Sequence, residues 1–236
     1  MNVLTPLQRD FLDSFFTQPA SAPFALTGGT ALAAFHLHHR VSEDLDLFAV
    51  APLHDEELQY CEVLDFGLRA ALTAGLSIGA TGEHRRPTTL FHQVFLSRGN
   101  EPRLKVDLVR DPGPLFGEVQ SFDGVRVSSI LDIAIGKVVA TLGRVAARDY
   151  VDLYFLLHSG FEFEQLLELA KQKDLGLEKF YLGQAMKAVE KVSPIDMPKM
   201  LKPLDLDDMK RFFATLAENL VRRINPERQP SNRAYE

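Results

Sequence analysis

The chain has 236 residues, enough for one large domain or two small ones, with 46% hydrophobic and 25% charged residues, the balance of an ordinary globular protein. A net charge of −6 and a pI near 5.7 argue against wholesale coating of nucleic acid, although local basic patches can still bind it. The single cysteine, Cys61, excludes an internal disulfide and a cysteine-rich metal site, and no apolar run reaches the ~20 residues that span a bilayer. The opening MNVLTPLQRDFLDSFF lacks a basic start and a long apolar run, so it does not read as a signal peptide, and a cytoplasmic location is expected.

Thr5 and Pro6 form a helix start, followed by Leu7, Phe11, Leu12, Phe15 and Phe16 at helical spacing. Phe24 to Leu26 reads as a short strand and Ala31 to His38 as a helix entered through Thr30. Asp44 to Val50 is the next strand, and His54 to Ala74 an amphipathic helix closed by Gly75. Three strand-like runs follow, Leu76 to Ala80, Thr89 to Ser97 and Arg103 to Val109, then a hairpin piece at Val125 to Val127. From Ser128 onward helical patterns take over. Pro194, Pro198 and Pro203 mark a broken connector before a last helix, Asp205 to Ile224, and residues 226–236 read as a loose tail. The expected fold is α+β, a small mixed β-sheet backed by helices and followed by a helical C-terminal domain. The boundaries are residues 1–127 for the sheet-bearing domain, 128–225 for the helical domain, and 226–236 for the tail.

The densest chemistry lies in Phe24 to Phe48, FALTGGTALAAFHLHHRVSEDLDLF. A Gly28-Gly29-Thr30 turn running into a helix offers backbone N–H groups and a positive dipole end to a phosphate. No Gly-Lys-Ser/Thr follows, so this is not a Walker-type loop. Thr30 is expected to cap the helix, with a phosphate contact as the other option. Strand alternation puts Asp44, Asp46 and Phe48 on one face, and two carboxylates so placed suit a hard divalent cation that also touches phosphates. Arg40 and Ser42, just ahead of that strand, either face phosphates or form a surface turn in which Arg40 pairs with Glu43. In LKVDLV, Lys105 and Asp107 share one face and Leu104, Val106 and Leu108 the other; Asp107 either joins the metal pair or pairs with Lys105 or an arginine. His36, His38 and His39 lack the i,i+4 spacing of a helical zinc site and read as structural or surface residues. The His84-Arg85-Arg86 loop reads as solvated.

Lys137, Thr141, Arg144, Arg148 and Asp152 would line one face if a single continuous helix carried them, with Gly143 or Ala146-Ala147 as a place where it could divide. Six basic residues against three acids from Met209 to Glu236 allow an RNA contact, and a solvated helix with a frayed tail explains them as well.

Two blocks together, Gly28, Gly29, Thr30, Arg40, Ser42, Asp44, Leu45 and Asp46, then Lys137, Arg144, Arg148, Asp149 and Asp152, resemble the nucleotidyltransferase family that contains the AbiEii and AbiGii toxins, within the polymerase-β-like superfamily. The resemblance runs from about Phe24 to Leu157. It implies a transferase that moves a nucleoside monophosphate from an NTP to an acceptor at a two-magnesium site. Asp107 would be the third metal carboxylate beside Asp44 and Asp46, and Lys137 a phosphate-neutralising residue oriented by Asp149. Gly28, Gly29, Thr30, Arg40, Ser42, Lys105, Arg148 and Asp149 would make the nucleotide site. Similar proteins act as toxins of toxin–antitoxin or phage-defence pairs, and several modify the tRNA acceptor end, so a tRNA acceptor and a cognate antitoxin are the implied partners. A nucleotide-sugar-dependent glycosyltransferase, which also uses Asp-x-Asp, and a non-catalytic binding module on the same fold are the alternatives.

Overall fold

The computed structural model describes residues 3–50, 77–78, 91–111 and 113–224. The expected helix at 54–74, the loop at 81–87 with its basic triplet, Cys61 and the tail lie outside the described residues. The chain divides into two compact units, Met1–Gly136 with Pro198–Lys202, and Lys137–Met197 with Pro203–Glu236.

The first unit is built on a mixed sheet. Its strands are β1 (Phe24–Thr27), β2 (Leu45–Ala49), β3 (Ser77–Ile78), β4 (Phe91–Ser97), β5 (Leu104–Arg110), β6 (Gln120–Phe122) and β7 (Val125–Val127), in the spatial order β3-β4-β5-β2-β1-β7-β6. The β2–β5 and β1–β7 pairs are parallel, and the remaining neighbours antiparallel. Alternation does what the sequence requires: Leu45, Leu47 and Ala49 are buried while Asp46 and Phe48 are half-exposed on the other face. On β5, Leu104, Val106 and Leu108 enter the core and Lys105 does not. Asp123 and Gly124, both at positive φ, make the two-residue turn of the β6–β7 hairpin.

Helix α1 (Pro6–Phe16) starts in a capping box, with the Thr5 hydroxyl accepting from Gln8 N and the Gln8 side chain accepting from Thr5 N. It buries Leu7, Phe11, Leu12 and Phe15, and Phe15 meets Phe24 edge-on. Helix α2 (Gly28–Ala31) begins three residues earlier than the hydrophobic pattern alone indicates. It widens at once into a π-helical stretch, Leu32–Leu37, in which His38 N–H reaches back to Ala33 O at 3.1 Å. His38 closes it in the left-handed conformation, φ 51°. Next to it, Arg40 pairs with Met200 in an isolated antiparallel bridge, and Val41 N–H donates to Lys199 O at 2.8 Å. Part of the proline-rich connector therefore belongs to the sheet-bearing unit.

Helix α3 (Ile130–Gly143) carries the division between the units. At its start Asp132 accepts from the Ser129 hydroxyl and from the backbone N–H groups of Phe116 and Gly117, which fastens the loop ahead of β6.

The second unit continues with α4 (Ala147–His158), α5 (Phe163–Lys173), α6 (Lys179–Lys187) and α7 (Leu206–Ile224). Tyr150, Leu153, Leu156, Leu166, Leu167, Leu182, Met186, Phe213 and Ala217 form its core. Tyr150 meets Phe213 edge-on and donates its hydroxyl hydrogen bond to Ala185 O at 2.7 Å. Asp205 caps α7 through the N–H groups of Asp207 and Asp208. Among the described residues no helix is long and apolar enough to cross a membrane.

Candidate active site

Within the first unit, the parallel β2–β5 register sets Asp46 beside Asp107 and, across the β4–β5 pair, Gln93 beside Asp107. Registered neighbours project to the same face of a sheet, so all three side chains share the polar face. Asp107 is held at both oxygens: Gln93 Nε2 donates to Oδ1 at 2.8 Å, and Lys105 Nζ to Oδ2 at 2.9 Å. The same ammonium lies 3.0 Å from Asp44 Oδ2. The Asp44 and Asp107 carboxylates therefore face one cationic point, Asp44 from just ahead of β2 and Asp107 from the middle of β5. Burial alone would lower the Lys105 pKa, but the hydrogen bonds and charges of Asp107 and Asp44 outweigh it, and the net displacement is upward.

Gly28 has φ +67°, and a Cβ placed there would overlap the Asp46 carboxylate. A Cβ on Gly29 would fall 2.5 Å from Arg40 Nη2 and 3.0 Å from Ser42 Oγ. The paired glycines thus let the helix backbone approach three polar side chains of the Arg40–Asp46 segment. Arg40 is buried, at 2% exposure, and its Nη1 donates to Val41 O at 2.9 Å, so it is not the exposed half of a surface turn. Thr30 is not the cap. The N-cap is Thr27, which makes no side-chain cap, and the buried Thr30 hydroxyl donates to the backbone carbonyl of Asp44. Because the helix starts at Gly28, Thr30 is carried past the capping position and becomes a tie between the helix and the residue that leads into β2.

Two residues that the sequence reading did not single out hold this arrangement. Gln93 orients Asp107, and the signal was a mid-strand polar side chain whose partner only the register reveals. Gln8, 1% exposed, donates from Nε2 to Ser42 O at 3.0 Å and Glu43 O at 3.1 Å, pinning the loop that delivers Asp44. Its position as the fourth residue of Thr-Pro-x-Gln marks it as a capping partner; nothing local marks its second role.

In the second unit, Lys137 Nζ lies 2.9 Å from Asp149 Oδ1 and 2.7 Å from Asp152 Oδ2, and Arg144 Nε lies 2.7 Å from Asp149 Oδ2. Asp149 and Asp152 are fully buried and Lys137 nearly so. Burial raises the Asp149 pKa, yet Lys137 and Arg144 together hold it below the ordinary carboxylate value. Burial likewise works against the Lys137 ammonium, and Asp152 and Asp149 overcome it to raise its pKa. The polar stripe is not on one helix. The helical path breaks between Gly143 and Ala147, leaving Lys137 and Thr141 on α3 and Arg148 and Asp152 on α4, with Arg148 exposed.

The family model for the nucleotidyl transferase AbiEii toxin of type IV toxin–antitoxin systems matches residues 10–227. The chain belongs to this family of nucleotidyltransferase toxins. It is therefore a member of an enzyme family whose substrates are NTPs and whose members pair with antitoxins. No curated protein sequence matches the chain. Its fold is that of several solved structures. A candidate nucleotidyltransferase from H. pylori is 21% identical with a TM-score of 0.57, over 93% of this chain and 94% of that one. JHP933 from Helicobacter pylori is 22% identical with a TM-score of 0.54, over 93% and 91%. The nucleotidyltransferase toxin MenT4 from Mycobacterium tuberculosis is 16% identical with a TM-score of 0.55, over 90% and 81%. At these identities the likeness speaks for the fold.

Among the described residues, no three His, Cys, Asp or Glu side chains stand in a ready metal cage. The oxygen donors nonetheless suit a hard divalent cation, because Asp44 and Asp107 already converge on a cation, the Lys105 ammonium, with Asp46 in register beside them.

The Gly28 contact is testable. Gly28→Ala is expected to cost about 1–3 kcal/mol, from the positive φ and from displacing Asp46. Gly99→Ala, at φ +55° with open space around it, carries the backbone cost alone. Thermal unfolding of both, read beside transfer activity, separates the two: only Gly28→Ala should lose activity beyond its stability loss.

Proposed function

We propose that this AbiEii-family chain is a divalent-cation-dependent nucleotidyltransferase acting in the cytoplasm as the toxin of a toxin–antitoxin or phage-defence pair. It moves a nucleoside monophosphate from an NTP to an acceptor, with tRNA as the acceptor class to test first. The observation that carries this reading is the closure of the Gly28-Gly29 backbone onto Arg40, Ser42 and Asp46, beside the Asp44–Lys105–Asp107 cluster.

In this reading Gly28 and Gly29 bring backbone N–H groups close to the triphosphate, and Arg40 and Ser42 supply charge and a hydroxyl beside them. Asp44, Asp46 and Asp107 would hold magnesium, which supplies Lewis-acid polarisation of the phosphate and a lowered pKa of the acceptor hydroxyl. The acceptor oxygen bonds to the α-phosphorus as the bond to the β-phosphate oxygen breaks, and pyrophosphate leaves. The hydroxyl proton passes to Asp107, whose orientation Gln93 fixes. Lys137 and Arg148 are assigned to phosphate neutralisation on the family resemblance, with Asp149 orienting the lysine.

The deciding experiment incubates the protein with α-labelled NTPs, magnesium and purified tRNA. Label on the tRNA with pyrophosphate release is expected, with complete loss when EDTA is added. If the acceptor is RNA, binding should weaken steeply between low and physiological salt, and Arg222→Ala with Arg223→Ala should flatten that slope. Release of a nucleoside diphosphate from a nucleotide-sugar, with no label from NTPs, would overturn the reading in favour of glycosyl transfer.

A further inference from the structure

The polar face of β5 carries a lysine where a metal site has no evident use for one. Lys105 is two residues before Asp107 on the same face, and its ammonium sits 2.9 Å from Asp107 Oδ2 and 3.0 Å from Asp44 Oδ2. Gln93 occupies the other oxygen of Asp107. Two of the carboxylates that the proposed function gives to a divalent cation thus already share one positive charge, from a group tethered to β5. Without it, Asp44 and Asp107 would face each other, with Asp46 in the adjacent register position. Three like charges gathered on one sheet face repel.

We propose that Lys105 is a built-in counter-cation: in the resting protein it holds Asp44 and Asp107 together, and a divalent cation must displace it to bind. This rests on the assignment of Asp44, Asp46 and Asp107 as the metal carboxylates. The chemistry is an exchange of one cation for another on the same oxygens. An ammonium and a divalent ion cannot share them, because both positive charges would sit within a few ångströms of each other. The exchange has a second consequence. The displaced ammonium stays on a four-carbon stem beside the site, where the NTP phosphates supply new acceptors. Metal and nucleotide should therefore bind with positive coupling through Lys105, since the nucleotide takes up the charge that the metal expels.

The test measures Mn2+ affinity by EPR or calorimetry on the full chain without nucleotide, so no turnover is involved. Releasing both partly exposed ion pairs is expected to shift metal affinity by about tenfold. Lys105→Met should therefore bind Mn2+ about tenfold more tightly than the wild type. Its metal-free thermal midpoint should be lower, and its rise on adding Mn2+ larger. Lys105→Gln, which keeps a donor without the charge, should show the same tightening and stands in if the methionine variant does not fold. Unchanged Mn2+ affinity in the folded variants, with Asp46→Ala abolishing binding in the wild type, overturns the counter-cation and leaves the metal assignment standing. Mn2+ binding that ignores both Asp46→Ala and Asp107→Asn overturns the two together. A non-hydrolysable NTP that tightens Mn2+ binding equally in wild type and Lys105→Met overturns the coupling.

Discussion

Asp46→Ala is expected to lower nucleotidyl transfer by about a thousandfold or more while the protein stays folded. A bound metal supplies several kcal/mol of transition-state charge stabilisation, and each ~1.4 kcal/mol is tenfold in rate. Asp46 stands in register with Asp107 and lies against Gly28 at the start of the helix. Its removal takes one negative charge from a face that holds three, so the metal-free protein should lose little stability, within about 1 kcal/mol. Asp46→Asn keeps the shape and should fail equally, which separates charge from packing. Circular dichroism with label incorporation at matched protein concentration checks both halves. Full transfer by Asp46→Ala would remove the metal mechanism.

The second large effect belongs to the helical unit and is one of stability. Lys137→Ala should destabilise the protein by about 3–5 kcal/mol, because it removes the ammonium that the two buried carboxylates, Asp149 and Asp152, share. Lys137→Met with Asp152→Leu removes the mismatched charge and should recover part of the loss, the coupling energy of a double-mutant cycle. The pH dependence follows from the directions of the shifts. The folded-state pKa of Asp149 is depressed, so its contribution is present above the ordinary 3.8 and is lost as pH falls through the folded value. The Lys137 pKa is raised, so its contribution is present below the ordinary 10.5 and is lost only as pH climbs through the folded value. The network is intact across neutral pH, and Asp149→Asn should blunt the acid-side loss in urea titrations. A Lys137→Ala protein as stable as the wild type would show that the network carries no net stability.

What the sequence determined by itself was whatever a local period or a local motif can encode. The alternation in LDLFA and LKVDLV decided which face of each strand is apolar, since a strand sends successive side chains to opposite sides. The Thr-Pro start of α1 and the Asp205 cap of α7 are equally local, because a cap bonds only within its own first turn. The two motif blocks carried the family. Tertiary structure decided everything that depends on which strand lies beside which. That Asp46 neighbours Asp107, and that Gln93 grips Asp107, follows from the β4-β5-β2 register, and register is a property of pairs of strands. Thr30 read as a cap because helix periodicity begins after it; the structure starts the helix at Gly28 and sends that hydroxyl to Asp44 O. The polar stripe from Lys137 to Asp152 is broken between Gly143 and Ala147, and its charges meet as a buried network only because the chain turns back there. Gln8 on Ser42 and Glu43, and Lys199 on Val41, join residues far apart in the chain. No local pattern encodes such partners, because the free energy that selects them comes from burying and satisfying polar groups in the assembled unit.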